Sequence, residues 1–160
     1  MIFVTLGSQK FQFNRLLKIL DGLIENHVIN QEVFAQIGYS DYRPQHYAYT
    51  KFLNRNDFLQ KIRQSDYVIT HGGAGAIISA VKARKKIIVV PRLAKFGEHV
   101  DDHQMQLVEQ FDNMGIITSC YDCSTLQIAF EKARDKVLMP YESNTSGIIQ
   151  SIEAFLKAIG

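Results

Sequence analysis

The chain has 160 residues, 46% of them hydrophobic, and its 18 lysines and arginines against 16 aspartates and glutamates leave a formal net charge of +2. That length and apolar content suit a single domain over 1–160 with a core of its own, and so small a charge excess, with no long basic run among aromatics, argues against a nucleic-acid partner. No segment holds the run of about 20 apolar residues that a membrane-spanning helix needs, and residues 1–6 read as a strand rather than a signal peptide, which makes a cytoplasmic location the expectation.

In chain order, 2–6 is predicted as strand, 11–27 as helix with Leu16, Leu17, Leu20, Leu23 and Ile24 at helical spacing, and 32–37 as strand. A strand follows over 47–53, then a helix over 55–64 capped by Asn54, then a strand over 67–70. Next come a helix over 74–84, a strand over 87–90, a helix over 99–113, a strand over 116–118 and a helix over 124–137. The ending, 145–159, is an amphipathic helix with Ile148, Ile149, Ile152, Phe155, Leu156 and Ile159 along one stripe, which packs on its own domain or faces a partner. Strict alternation of strands and helices predicts an α/β fold, a Rossmann-like parallel sheet with helices on both faces.

Within that frame, Thr70-His71-Gly72-Gly73-Ala74-Gly75 carries a buried strand through a glycine-rich turn into a helix. Few side-chain atoms cover the helix start, so a phosphate or diphosphate can meet its amides and the positive end of its dipole. The same glycines also serve a tight turn with positive φ, and both readings stay open. No Lys-Ser/Thr pair follows the last glycine, as a P-loop requires, and the dinucleotide fingerprint is missing.

One βα unit later, the strand ending at Pro91 leads through Arg92 into a polar loop, with Glu98, His99, Asp102, His103 and Gln104 around the start of the next helix. Parallel sheets bind ligands beyond the carboxyl ends of their strands, so both segments reach one edge. His71 either bonds the turn backbone or orients a ligand. Asp102 and Gln104 are ordinary first-turn residues or partners of sugar hydroxyls, and Glu98 and His99 are solvated, capping or ligand residues.

The pair His71-Gly72-Gly73-Ala74-Gly75 and Glu98-His99-Val100-Asp101-Asp102-His103-Gln104, with Val89-Val90-Pro91-Arg92 between them, resembles the C-terminal, nucleotide-sugar-binding half of the GT-B glycosyltransferases of family 28. Ile2-Phe3-Val4-Thr5-Leu6-Gly7-Ser8 and Phe13-Asn14-Arg15-Leu16-Leu17 extend the resemblance over nearly the whole chain. It points to the small soluble subunits of split enzymes, either the eukaryotic transferase that extends dolichol-linked GlcNAc or bacterial capsular and exopolysaccharide transferases.

What the resemblance implies is a donor-binding, catalytic subunit of an inverting hexosyltransferase that moves a sugar from a UDP-sugar to a lipid-linked saccharide. It needs no cofactor or metal, works with a membrane-anchored acceptor-binding partner, and is peripheral to the membrane through that partner. The resemblance places substrate on His71, Gly72, Gly73, Ala74, Gly75, Arg92, Glu98, Asp102, His103 and Gln104. The amides of 72–75 would take the diphosphate, and Asp102, His103 and Gln104 the sugar. No catalytic base is assigned; the partner or the 7–10 loop would supply it.

Two positions depart from the family pattern. Many relatives carry a carboxylate for the ribose hydroxyls where this chain has Ser79, which cannot match a bidentate charge-assisted contact. Relatives that use N-acetylglucosamine often have two adjacent glutamines where this chain has Gln104-Met105, which leaves galactose and glucuronate open beside it. The alternative is a non-catalytic nucleotide-sugar-binding or scaffold subunit, which Ser79 favours. A third reading is a redox protein built on Cys120-Tyr121-Asp122-Cys123, between a strand and a helix. Two cysteines make only half of a structural zinc site, and no His pair lies nearby.

Overall fold

The computed structural model describes residues 1–99, 103–136, 150, 153 and 154. Strands β1 (Ile2–Thr5), β2 (Val33–Gln36), β3 (Ala48–Thr50), β4 (Tyr67–Thr70), β5 (Lys86–Val89) and β6 (Thr118–Ser119) form one sheet in the order β3-β2-β1-β4-β5-β6. Every pairing is parallel. Helices α1 (Asn14–Glu25), α2 (Arg55–Gln64), α3 (Ala74–Lys82), α4 (His103–Asn113) and α5 (Leu126–Asp135) cover it.

Side chains alternate across a strand, so the central strands feed two cores. Ile2, Val4 and Leu6 pack with Leu16, Leu17 and Leu20 of α1 and with Leu126, Ala129 and Ala133 of α5. Phe3, Val68, Ile87 and Val89 face the other way, onto Ile62 of α2, Ile77 and Ala80 of α3, and Leu107, Val108 and Phe111 of α4. A 12-residue helix such as α1 is marginal alone, and three fully buried leucines, each contributing about 1.5–3 kcal/mol, hold it on the sheet. Asp21 on the same helix is buried and accepts from Tyr42 Oη at 2.6 Å and the His46 amide at 2.9 Å, which pins the loop between β2 and β3.

The α/β class and parallel sheet are as the alternation predicts; the differences lie at element ends. Helix α1 begins three residues later than its periodicity suggests. The Phe13 amide donates to Ser40 Oγ and the Asn14 amide to Gln12 Oε1, both at 2.8 Å, so 11–13 belong to the loop. His27 and Arg84, at φ 59° and 57°, lie in the left-handed region just past α1 and α3. Strand β6 starts at Thr118 rather than at 116, because the Ile116 amide turns back to the Phe111 carbonyl at 3.4 Å. Asp122 accepts from the Ser124 amide and sets up a short 3-10 turn over Cys123–Thr125, so α5 begins at Leu126. Asp102 and the amphipathic ending over 145–159 lie outside the described residues, apart from Gln150, Glu153 and Ala154, which are helical and exposed.

The strand order defines where a ligand can enter. From β1 the chain steps outward to β2 and β3 on one side, then crosses to β4 on the other. The loops that leave β1 and β4 therefore diverge and open a crevice at their carboxyl ends, the switch point at which such sheets bind ligands.

Candidate functional site

At this crevice β4 runs through His71, Gly72 and Gly73 into α3. Gly73 is the N-cap, with extended backbone and no side chain to cap the helix, and the first turn holds no acidic residue. The first helical bond runs from the Ile77 amide to the Gly73 carbonyl at 3.2 Å, so the amides of Ala74, Gly75 and Ala76 precede the intrahelical ladder. They point out of the carboxyl edge of the sheet with the positive end of the helix dipole behind them, a geometry suited to an anion.

The three glycines do different work. Gly72 has φ 102°, a conformation that other residues rarely adopt, which makes it the tight-turn glycine. A Cβ at Gly73 would stand 2.8 Å from His71 Cε1 and Nε2, so the space it leaves is filled by the His71 ring. Gly75 has nothing within 4 Å of a Cβ position and leaves open space over the helix start. Gly7, after β1, mirrors Gly73, since its Cβ would come within 2.7 Å of His71 Cε1. The imidazole is therefore seated in a slot between the β1 and β4 loops, a role for Gly7 that the motif alone did not show.

His71 is buried, and its Nδ1 lies 3.4 Å from both the Thr5 carbonyl and Thr70 Oγ1. A carbonyl only accepts, which puts the proton on Nδ1 and leaves the Nε2 lone pair toward the slot. Burial, reinforced by the nearby Arg92 charge, lowers the ring's pKa to about 4, so it is neutral at pH 7. His71 thus bonds the backbone at the end of β1 rather than that of its own turn, and its ring lies against Gly73 at the start of α3.

Arg92 and Glu98 are placed inside the loop framework. Arg92 is buried and donates to the carbonyls of Leu6, Phe11 at 3.0 Å and Glu98 at 3.3 Å; burial lowers its pKa to about 10, which leaves it charged. Glu98, wholly buried, receives Arg15 Nε at 2.9 Å and Nη2 at 3.0 Å, and its Oε1 also accepts from the Leu93 amide at 2.9 Å. His99 packs its ring against Phe11 at 5.5 Å. His103 and Gln104 open α4, beyond the same edge. Arg15 and Gln12 had no signal in the periodicity, because their partners lie more than 80 residues away.

Two other features take no part in this site. Cys120 and Cys123 are free and buried, and burial raises both thiols, Cys123 to about 12. A thioredoxin-type site needs the reverse, a lowered and accessible thiol, so the motif offers no redox centre. A cavity of about 290 Å³, lined by residues including Ile2, Tyr67, Phe130 and Arg134, opens at the amino ends of the strands, opposite the glycine turn. No helix among the described residues is long and apolar enough to cross a membrane.

Comparison with known proteins agrees with the α/β fold. A family profile, the glycosyltransferase family 28 C-terminal domain, matches residues 1–158. The chain is 33% identical over 107 residues to the UDP-N-acetylglucosamine transferase subunit ALG13 of Candida glabrata, which covers 66% of this chain and 52% of that protein. With the subunit of the same name from Mus musculus it shares 24% identity over 125 residues, covering 74% of this chain and 10% of that one. The chain therefore spans about half the length of the first relative and about a tenth of the second.

Among solved structures, the glycotransferase of kitacinnamycin superposes with a TM-score of 0.65 at 18% identity, over 96% of this chain and 39% of that one. MurG of Acinetobacter baumannii does so with a TM-score of 0.59 at 16% identity, over 96% and 49%. At such identities these likenesses carry the fold and nothing finer.

Proposed function

The chain belongs to the family of glycosyltransferase family 28 C-terminal domains, and from that premise we propose that it is the donor-binding, catalytic subunit of a UDP-sugar hexosyltransferase. The observation that carries this reading is the uncapped start of α3, set between Gly73 and the open space over Gly75 at the switch point of the sheet. There the amides of Ala74, Gly75 and Ala76 would hold the diphosphate. As the glycosidic bond to the donor breaks, negative charge grows on the departing UDP, and amides fixed in the backbone stabilise it without reorganising. No metal is needed for that task.

The sugar would then extend toward the start of α4, where His103 and Gln104, with Asp102 before them in the sequence, would supply donors and acceptors for its hydroxyls. The two relatives are subunits of UDP-N-acetylglucosamine transferases, which puts N-acetylglucosamine first among the donors to try. Met105 beside Gln104 keeps galactose and glucuronate as the other donors to try. The acceptor, a lipid-linked saccharide in glycan or polysaccharide synthesis, and the base that deprotonates its hydroxyl would come from a membrane-anchored partner, which would also bring the chain to the membrane surface. Ser79, at the α3 position where many relatives carry the ribose carboxylate, would favour the second reading, a non-catalytic nucleotide-sugar-binding or scaffold subunit, if the missing carboxylate abolished donor binding.

Calorimetry with the full chain tests the premise. UDP should bind at least tenfold more tightly than uridine, because the diphosphate makes the contacts at the helix start. Equal affinities, or binding of neither, would overturn the donor-site reading. Transfer assays with a radiolabelled donor should give product only in the presence of the partner; bound donor without transfer in the reconstituted complex would leave the scaffold role.

A further inference from the structure

Side chains of Gln12, Arg15, Arg92 and Phe11 join the loop after β1 and the start of α1 to the loop after β5. Gln12 Nε2 donates to the Phe96 carbonyl at 2.9 Å. Arg15 pairs with Glu98 through both carboxylate oxygens and lies over the Phe96 ring, its Cζ 4.7 Å from the centroid. Arg92 reaches the opposite way, to the carbonyls of Leu6 and Phe11, while holding the Glu98 carbonyl on its own loop. Phe11 and His99 meet ring to ring. In the sheet β4 lies between β1 and β5, so these links cross the carboxyl end of β4, where His71 is seated.

We propose that Arg92 is a positioning residue: by tying the β1 loop to the β5 loop it sets the sugar side of the site, at the start of α4, in register with the diphosphate side at the start of α3. The inference rests on the donor-site reading above and deepens it. Three carbonyls on two loops, Leu6, Phe11 and Glu98, converge on one planar guanidinium, and its fork geometry fixes their relative positions in a way a single ammonium cannot. Glu98 and Arg15 complete the clamp, so residues 92–98 of the loop are held from the α1 side of the sheet.

The assignment is tested on the full chain with UDP and with whichever of UDP-N-acetylglucosamine, UDP-galactose and UDP-glucuronic acid the unaltered protein binds most tightly. Arg92→Met should change UDP affinity less than twofold and weaken the UDP-sugar at least fivefold, and Arg92→Lys should recover part of that difference. Gln12→Ala, which removes a surface link of the same clamp and leaves the core untouched, should give a smaller loss with the same split. Equal losses for UDP and UDP-sugar, or no loss in either variant, would overturn the proposal.

Hydrogen exchange reads the clamp without any ligand. In Arg92→Met and in Gln12→Ala the amides of 7–13 and of 93–98 should exchange faster together, and unchanged exchange in both segments would also refute the assignment. If the unaltered chain binds no nucleotide, the donor-site reading fails while the exchange result still decides whether the clamp exists.

Discussion

Gly75→Asp separates the anion site from the turn. A Cβ at Gly75 has nothing within 4 Å, so the side chain enters open space without disturbing His71, unlike any substitution at Gly73. In the first turn of α3 glycine costs up to about 1 kcal/mol of helix propensity, and an acidic residue near the positive end of the dipole contributes about 0.3–1 kcal/mol. Folding should therefore be unchanged or stabilised by up to about 1 kcal/mol, roughly 2–4 °C in Tm for a chain of this size. The same carboxylate repels a diphosphate at the helix start. Two unit charges about 8 Å apart interact by about 0.5 kcal/mol in water and about 2 kcal/mol at an effective dielectric of 20. With more than one charge on UDP, affinity should fall at least tenfold at low salt and recover in part as added salt screens the pair. Calorimetry beside thermal unfolding measures both. A folded Gly75→Asp protein that binds UDP as tightly as the parent would show that the anion does not sit at this helix start.

Gln104→Ala should lower affinity for the full UDP-sugar by on the order of 1 kcal/mol and leave UDP nearly unaffected, as losing one neutral hydrogen bond to the sugar requires; equal losses would move Gln104 off the sugar. Glu98→Ala removes the buried carboxylate that pairs with Arg15 and accepts from the Leu93 amide, and should cost about 3 kcal/mol in urea unfolding; a loss under 1 kcal/mol would contradict the ion pair seen here. His71 has a folded pKa of about 4 against an ordinary value of 6.5, so the unfolded chain binds more protons between those pH values. Stability from this group is complete above about pH 6.5 and is lost as pH falls toward 4, by on the order of 3 kcal/mol in all; His71→Asn should flatten that slope, and a parent protein equally stable at pH 4.5 and 7 would refute it. Cys120 and Cys123 should react slowly with a thiol reagent at pH 7 in the native state and quickly in denaturant, and Cys120→Ala with Cys123→Ala should keep UDP binding intact.

Elements whose determinants are local were legible in the sequence. Helix α2 runs over Arg55–Gln64 as read, because its signal, Asn54 Oδ1 accepting from the Asp57 amide at 2.8 Å, spans three residues. Strand β4 and the glycine turn were equally plain, since an apolar run followed by three glycines constrains the backbone wherever the rest of the chain lies. The edges of α1, β6 and α5 moved because Ser40, Phe111 and Asp122 take amides that periodicity alone assigns to the next element.

The site itself divides along the same line. That an anion can meet the start of α3 follows from residues 71–76 alone. Only the sheet order, by bringing β1, β4 and β5 side by side, decides that His71 fills the space left by Gly7 and Gly73, and that Arg92 and Glu98 are turned inward to bind loops. The Gly7–His71 approach and the Arg15–Glu98 and Arg92–Leu6 contacts join residues more than 60 positions apart. A one-dimensional pattern reports the character of a side chain but not its distant partner, and here the partner decides whether a charged group is left to solvent or ties two loops together.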